Sequence, residues 1–120
     1  MTHEIYDFTD NILTFGFTGT INQEAIELFA EATIPYFEQG TKEKPIHFLV
    51  DTESDDGMSL YARRWFTQLN KDERLDKVAL VGGSSRTKVI ASFILRATGR
   101  NNLRFFPTFE EGRQWILDGS

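Results

Sequence analysis

The sequence predicts a mixed α/β domain with a largely parallel five-stranded sheet and about four helices, in the order ββαβαβαβα. Three observations predict it. Period-2 alternation at Leu13, Phe15 and Phe17, preceded by the polar pair Asp10-Asn11, reads as an antiparallel hairpin. The runs Pro45–Asp51 and Lys77–Val81 are apolar on consecutive positions, as in strands buried on both faces of a parallel sheet. From residue 20 onward, strand patterns alternate with helix patterns across short connections, which favours parallel pairing through helical crossovers. A length of 120 residues suits a single domain, 1–120, with a real core.

In chain order, His3–Thr9 and Ile12–Thr18 are the hairpin strands, and Gly19 ends the second. Thr20 or Asn22 caps the first helix, whose apolar face is Ile21, Ala25, Leu28, Phe29 and Ala32. Pro35 has no amide hydrogen, so a kink or restart is expected near Thr33–Ile34, with Gly40 as the C-cap. The strand Pro45–Asp51 then runs into the acidic loop Thr52–Gly57. The second helix is expected over Gly57–Leu69, capped by Asp55 or Asp56, with Met58, Ala62, Trp65, Phe66 and Leu69 as its stripe. Arg63, Arg64, Thr67 and Gln68 face outward. After the strand Lys77–Val81, Gly82–Ser85 leads into a helix over Arg86–Thr98, capped by Ser84 or Ser85 and ended by Gly99. Leu103–Phe106 is the last strand, and Thr108 caps a final helix with Glu110 and Glu111 in its first turn.

Charge is uneven. The net charge is −5, yet Arg86, Lys88, Arg96, Arg100 and Arg104 fall in a stretch without an acidic residue. The acidic remainder argues against nonspecific nucleic-acid binding. There are no cysteines, so disulfides and thiolate chemistry are excluded. No basic-plus-apolar leader and no membrane-length apolar run is present, and a cytoplasmic location is the expectation. No motif requires a cofactor.

Candidate sites sit at the ends of the two buried strands. Asp51, Glu53, Asp55 and Asp56 are oxygen donors of the kind hard cations take. An EF-hand is excluded, because the glycine is one position late and the twelfth position is Ala62. The competing reading is a solvated loop with one carboxylate capping a helix. Gly82-Gly83-Ser84-Ser85 matches neither a P-loop nor a GxGxxG pattern, but its amides at a helix start, with Arg86 and Lys88, suit an anion. A plain turn and helix cap is the alternative. His47 interrupts its strand, either as a hydrogen-bonded strand residue or as a base. The helix Arg86–Arg100 is basic and amphipathic, as in helices lying on anionic membranes; a core-facing helix with solvated arginines has the same pattern.

Several segments together resemble the SpoIIAA-like family of the STAS superfamily. They are FTGTI before the first helix, LVD followed by GMSLYARRWF, the strand KVALVG, and the ending RFFPTFEEGRQWI with Glu111-Gly112-Arg113-Gln114-Trp115-Ile116. The resemblance implies a STAS-like fold and a regulatory or ligand-binding module that is not an enzyme, with a small apolar ligand or a membrane surface as its partner. Anti-sigma-factor antagonists of the superfamily carry a phosphorylatable Ser in a D-S-S-G segment. The corresponding loop here holds Ser54 and Ser59 as candidate phosphoacceptors, but not that motif.

The leading reading is therefore a module binding a small apolar or amphiphilic ligand between Gly57–Leu69 and Arg86–Thr98. Met58, Tyr61, Trp65 and Phe93 would supply apolar contact, and Ser84, Ser85 and Arg86 would hold an anionic head. An anionic membrane surface, a protein partner and a homodimer are the other associations considered. A phosphoregulated interaction switch is the alternative function. A hydrolase built on Asp51, Ser59 and His47 is a third, without a G-x-S-x-G motif to support it.

Overall fold

The structure is a computed structural model that describes residues 3–52, 55–82 and 85–118, with the backbone alone at 55–56 and 85–86. Strands β1 (His3–Thr9) and β2 (Ile12–Phe17) form the hairpin. Asp10 and Asn11 both have positive φ, 57° and 60°, as a two-residue turn matched to strand twist requires. β2 is followed by the short β3 (Gly19–Ile21) and α1 (Gln23–Phe37). Then come β4 (Ile46–Asp51), β5 (Asp55–Met58), α2 (Leu60–Leu69), β6 (Leu75–Val81), α3 (Ser85–Thr98), β7 (Leu103–Phe106) and α4 (Phe109–Leu117).

The five-stranded sheet has the order β1-β2-β4-β6-β7, with β1 antiparallel and the remaining neighbours parallel. This is the mixed, mainly parallel sheet and four-helix order anticipated from the sequence. The alternation in β2 works as read: Leu13, Phe15 and Phe17 face the larger core with Phe48, Val50, Val78 and Leu80. Phe29 of α1, Phe66 of α2 and Ile90 and Ile94 of α3 close over that side. On the opposite side, Ile116 of α4 packs with Ile12, Leu49, Ala79 and Val81. Three helices thus cover one face and a single short helix covers part of the other.

Several local expectations are corrected. β3 and β5 form a separate two-stranded parallel sheet, so Gly57 lies in a strand and α2 begins later than expected. Ser59, not Asp55 or Asp56, caps α2: its hydroxyl accepts from the Ala62 amide at 3.2 Å. The pairing of Ile21 with Met58, and the Ser59 amide donating to the Ile21 carbonyl, hold the chain extended up to that cap. α1 runs through Pro35 as one helix, capped by Asn22 and ended by Glu38 rather than Gly40. Pro35 supplies no amide hydrogen to the carbonyl of Glu31, one turn earlier, and that residue is exposed. Leu28 is exposed and Ile26 takes its place in the core, while Thr67 turns inward and donates to the Arg63 carbonyl.

Candidate functional site

Beneath α2 and α3 the larger core is incompletely filled. A cavity of about 60 Å³ lies between these helices and the sheet, with nearly all its wall apolar. Phe48, Val50, Val78 and Leu80 form its floor, and Ile90, Ala91 and Ile94 of α3 its roof. Ala91 is the small residue in that roof, and a longer side chain there would enter the void. Met58 and Ile21 bring the β3–β5 pair against the upper end.

Polar groups stand at both ends. At the carboxyl ends of the strands the wall includes Asp51, Thr52 and Thr87. Thr52 is fixed by its amide and hydroxyl, which donate to the Val81 carbonyl at 3.0 and 2.9 Å. At the other end Asn70, buried, donates to the Phe66 carbonyl and accepts from Asn102 at 3.2 Å. Arg100 tightens this end by donating to the carbonyls of Asn70 and Leu75 at 2.6 and 3.0 Å.

Of the residues assigned to this site from sequence, Met58 lines the cavity. Tyr61, Trp65 and Phe93 do not. Trp65 turns toward α1 and packs edge-on against Phe29 and Phe66, while Tyr61 is exposed at the start of α2. Phe93 is 51% exposed and Val89 67%, because Ile90, Ala91 and Ile94 occupy the inward side of α3 and leave these two on its outer side. Ser85 and Arg86 open α3, but their side chains lie outside the described residues, as do Ser84 and the phosphoacceptor candidate Ser54. Ser59, the other candidate, serves as the α2 cap.

Two members of the hydrolase trio stand apart. His47 and Asp51 lie on one strand four residues apart, about 13 Å at the usual strand rise. Ser59 belongs to the α2 terminus. His47 accepts from the Lys77 amide through Nδ1 at 3.2 Å. Burial pushes its pKa down, nearby Lys77 adds to this, and Asp76 opposes it. It is a neutral, hydrogen-bonded strand histidine. Asp51 accepts from the Tyr6 hydroxyl at 3.2 Å. That contact depends on Gly16, where a Cβ would lie 2.8 Å from the same hydroxyl and 3.0 Å from Asp51 Cβ. Glu53 lies outside the described residues, and among those described no group of three or more His, Asp or Glu is placed to hold a metal ion.

The sequence signal for the cavity was indirect. The floor residues were legible as inward strand positions, but the void depends on how far α2 and α3 stand from the sheet. The basic run is also partly structural: Lys88 lies over Phe105 at 5.8 Å, and Arg104 over Trp115 at 5.3 Å. No helix among the described residues is long and apolar enough to cross a membrane.

A mixed, mainly parallel sheet with three helices on one face places the chain in a known class. The sequence model of the SpoIIAA-like family matches residues 12–117, and the chain belongs to that family. Two solved structures share the fold. One is an uncharacterized protein of the DUF3478 family, with a SpoIIAA-like fold, from Shewanella loihica PV-4. It is 20% identical with a TM-score of 0.71, over 95% of this chain and 91% of that one. The other is the anti-sigma factor antagonist SpoIIAA in its unphosphorylated form. It is 11% identical with a TM-score of 0.60, over 98% and 99% of the two chains. No curated protein matches the sequence.

Proposed function

We propose that the chain is a non-catalytic binding module whose ligand is a small apolar or amphiphilic molecule held between the sheet and α2–α3. The carrying observation is the 60 Å³ void with apolar walls and polar groups at its ends. Protein interiors seldom leave voids larger than a water molecule, and apolar cavities stay dry and accept apolar guests. A cavity of roughly 150 Å³ holds benzene. The void here therefore admits a short alkyl group, and a longer chain enters only as α2 and α3 move apart. The separation of His47 from Asp51 along β4 supports the non-catalytic reading, and so does the fold shared with an anti-sigma factor antagonist.

The test is native mass spectrometry of the protein after exposure to a total lipid extract, in parallel with Ala91→Leu, which fills the roof. A retained adduct that the variant loses is expected. No adduct on the parent protein, or equal adducts on both, overturns the proposal.

A second reading draws on the outer side of α3, where Val89 and Phe93 are exposed beside exposed Lys88 and Arg96. An apolar pair flanked by cations suits an anionic membrane surface, at roughly 1 kcal/mol for each basic residue near it. Co-sedimentation with phosphatidylglycerol vesicles, but not phosphatidylcholine vesicles, is the expected result. Val89→Ser with Phe93→Ser should abolish it; binding unchanged by this double substitution would rule out the face.

A further inference from the structure

The three helices over the closed face of the sheet form a layer whose outer surface is divided by charge. α2 lies between α1 and α3 and packs against both. α1 carries Glu24, Glu27 and Glu31 and no basic residue. α2 and α3 carry Arg63, Arg64, Arg86, Lys88 and Arg96 and no acidic residue. We propose that two copies of the chain associate through this layer, with α1 of each lying on the α2–α3 side of the other.

Both the charges and the apolar groups of the layer are left unpaired within one copy. Glu24, Glu27, Glu31, Arg64, Lys88 and Arg96 are all exposed, and none of them forms an ion pair among the described residues. Surface helices commonly pair opposite charges one turn apart, but no helix of this layer carries both signs. Each helix also leaves large apolar side chains outside: Leu28 and Ile34 on α1, Leu60 and Tyr61 on α2, and Val89 and Phe93 on α3, between 42% and 67% exposed. Apolar groups ringed by charge in this way mark association surfaces. Three helices about 10 Å across, the first of 15 residues, cover roughly 30 Å by 22 Å. That is on the order of the 800 Å² each partner contributes to a stable interface.

Charge selects the occupant. An anionic membrane or an acidic protein suits α2 and α3 but is repelled by the glutamates of α1. A basic partner has the opposite conflict. An occupant that satisfies the whole layer carries both signs in reversed order, and a second copy does so by symmetry. Turned over by a two-fold axis that runs in the interface along the helices, it sets acidic α1 against basic α2–α3 twice. Such a contact is isologous and closes at two chains. The apolar side chains supply most of the affinity, and the charges fix which side meets which. The contact covers Val89 and Phe93, so self-association and membrane binding exclude one another on this face.

The experiment is sedimentation velocity on the full chain from micromolar to millimolar concentration, in low and in high salt. A concentration-dependent dimer is expected, about tenfold weaker in high salt because exposed charges are screened. Glu27→Lys with Glu31→Lys reverses α1, and Arg64→Glu with Arg96→Glu reverses the other side. Each double variant alone should stay monomeric where the parent chain is dimeric. Mixed in equal amounts, the two should form a heterodimer, since each reversed surface then meets its complement. All four residues are exposed, and recovery on mixing cannot arise from a folding defect. A monomeric parent chain, double variants that dimerise as well as the parent, or no heterodimer on mixing overturns the proposal. A monomer that binds phosphatidylglycerol vesicles through Val89 and Phe93 also overturns it, and assigns the face to a membrane.

Discussion

His47 and Lys77 are neighbours across β4 and β6, joined by the bond from the Lys77 amide to His47 Nδ1. His47 has its pKa held below the ordinary 6.5. The unfolded chain therefore takes up the proton first as pH falls. The associated stability is fully present above 6.5 and is lost as pH drops below it toward the depressed native value. Urea midpoints measured across this window should fall with acidification, and the slope should flatten in His47→Gln. An unchanged slope in that variant would assign the pH dependence to other groups. Lys77 is 8% exposed and donates to the carbonyls of Trp115 and Ile116 at 2.9 and 3.5 Å, with its ammonium also 5.2 Å from the Trp115 ring centroid. It thereby serves the C-terminal end of α4, where unpaired carbonyls attract a cation. His47 was legible as a bonded strand residue because its neighbours are apolar. The role of Lys77 was not, since it depends on a helix that begins more than thirty residues later in the chain.

At the scale of elements, legibility followed periodicity. β2 alternates over six residues and α4 carries a threonine cap with acids behind it, and both appeared where expected. β3 and β5 are three and four residues long and pair across the whole of α1 and β4, so no local period announced them. α3 contains two apolar pairs in adjacent phases, Val89 with Phe93 and Ile90 with Ile94. Only packing reveals that the second faces inward, which is why Phe93 was assigned to the cavity and is found outside it. α4 sits close to the sheet because Gly112 has no side chain. A Cβ there would be 2.9 Å from Leu49 Cδ1 and 3.2 Å from Ala79 Cβ. Gly112→Ala gains about 1 kcal/mol of helix propensity but overfills this contact at about 1–3 kcal/mol. The expected outcome is a net loss of about 1 kcal/mol in chemical denaturation. A more stable variant would show that α4 shifts outward without cost.

For the whole molecule, the two faces of the sheet differ in kind. One is closed by three helices over an aromatic core with a void inside it; the other is half open and bordered by carboxylates. The ββαβαβαβα order and the parallel pairing were legible because buried strands and amphipathic helices have distinct sequence periods. The contrast between the faces was not, because it depends on how much sheet one nine-residue helix can cover. The void also has a mechanical consequence. Unfolding eliminates internal empty space, so a molecule with more of it loses more volume on unfolding and yields sooner to hydrostatic compression. High-pressure spectroscopy should find the first disturbed signals at Phe48, Val78 and Ile90 around the void. Ala91→Leu should raise the pressure needed for half-unfolding; an unchanged value would mean that the space already takes up water under compression. The void between the sheet and α2–α3 is thus where compression should be felt first.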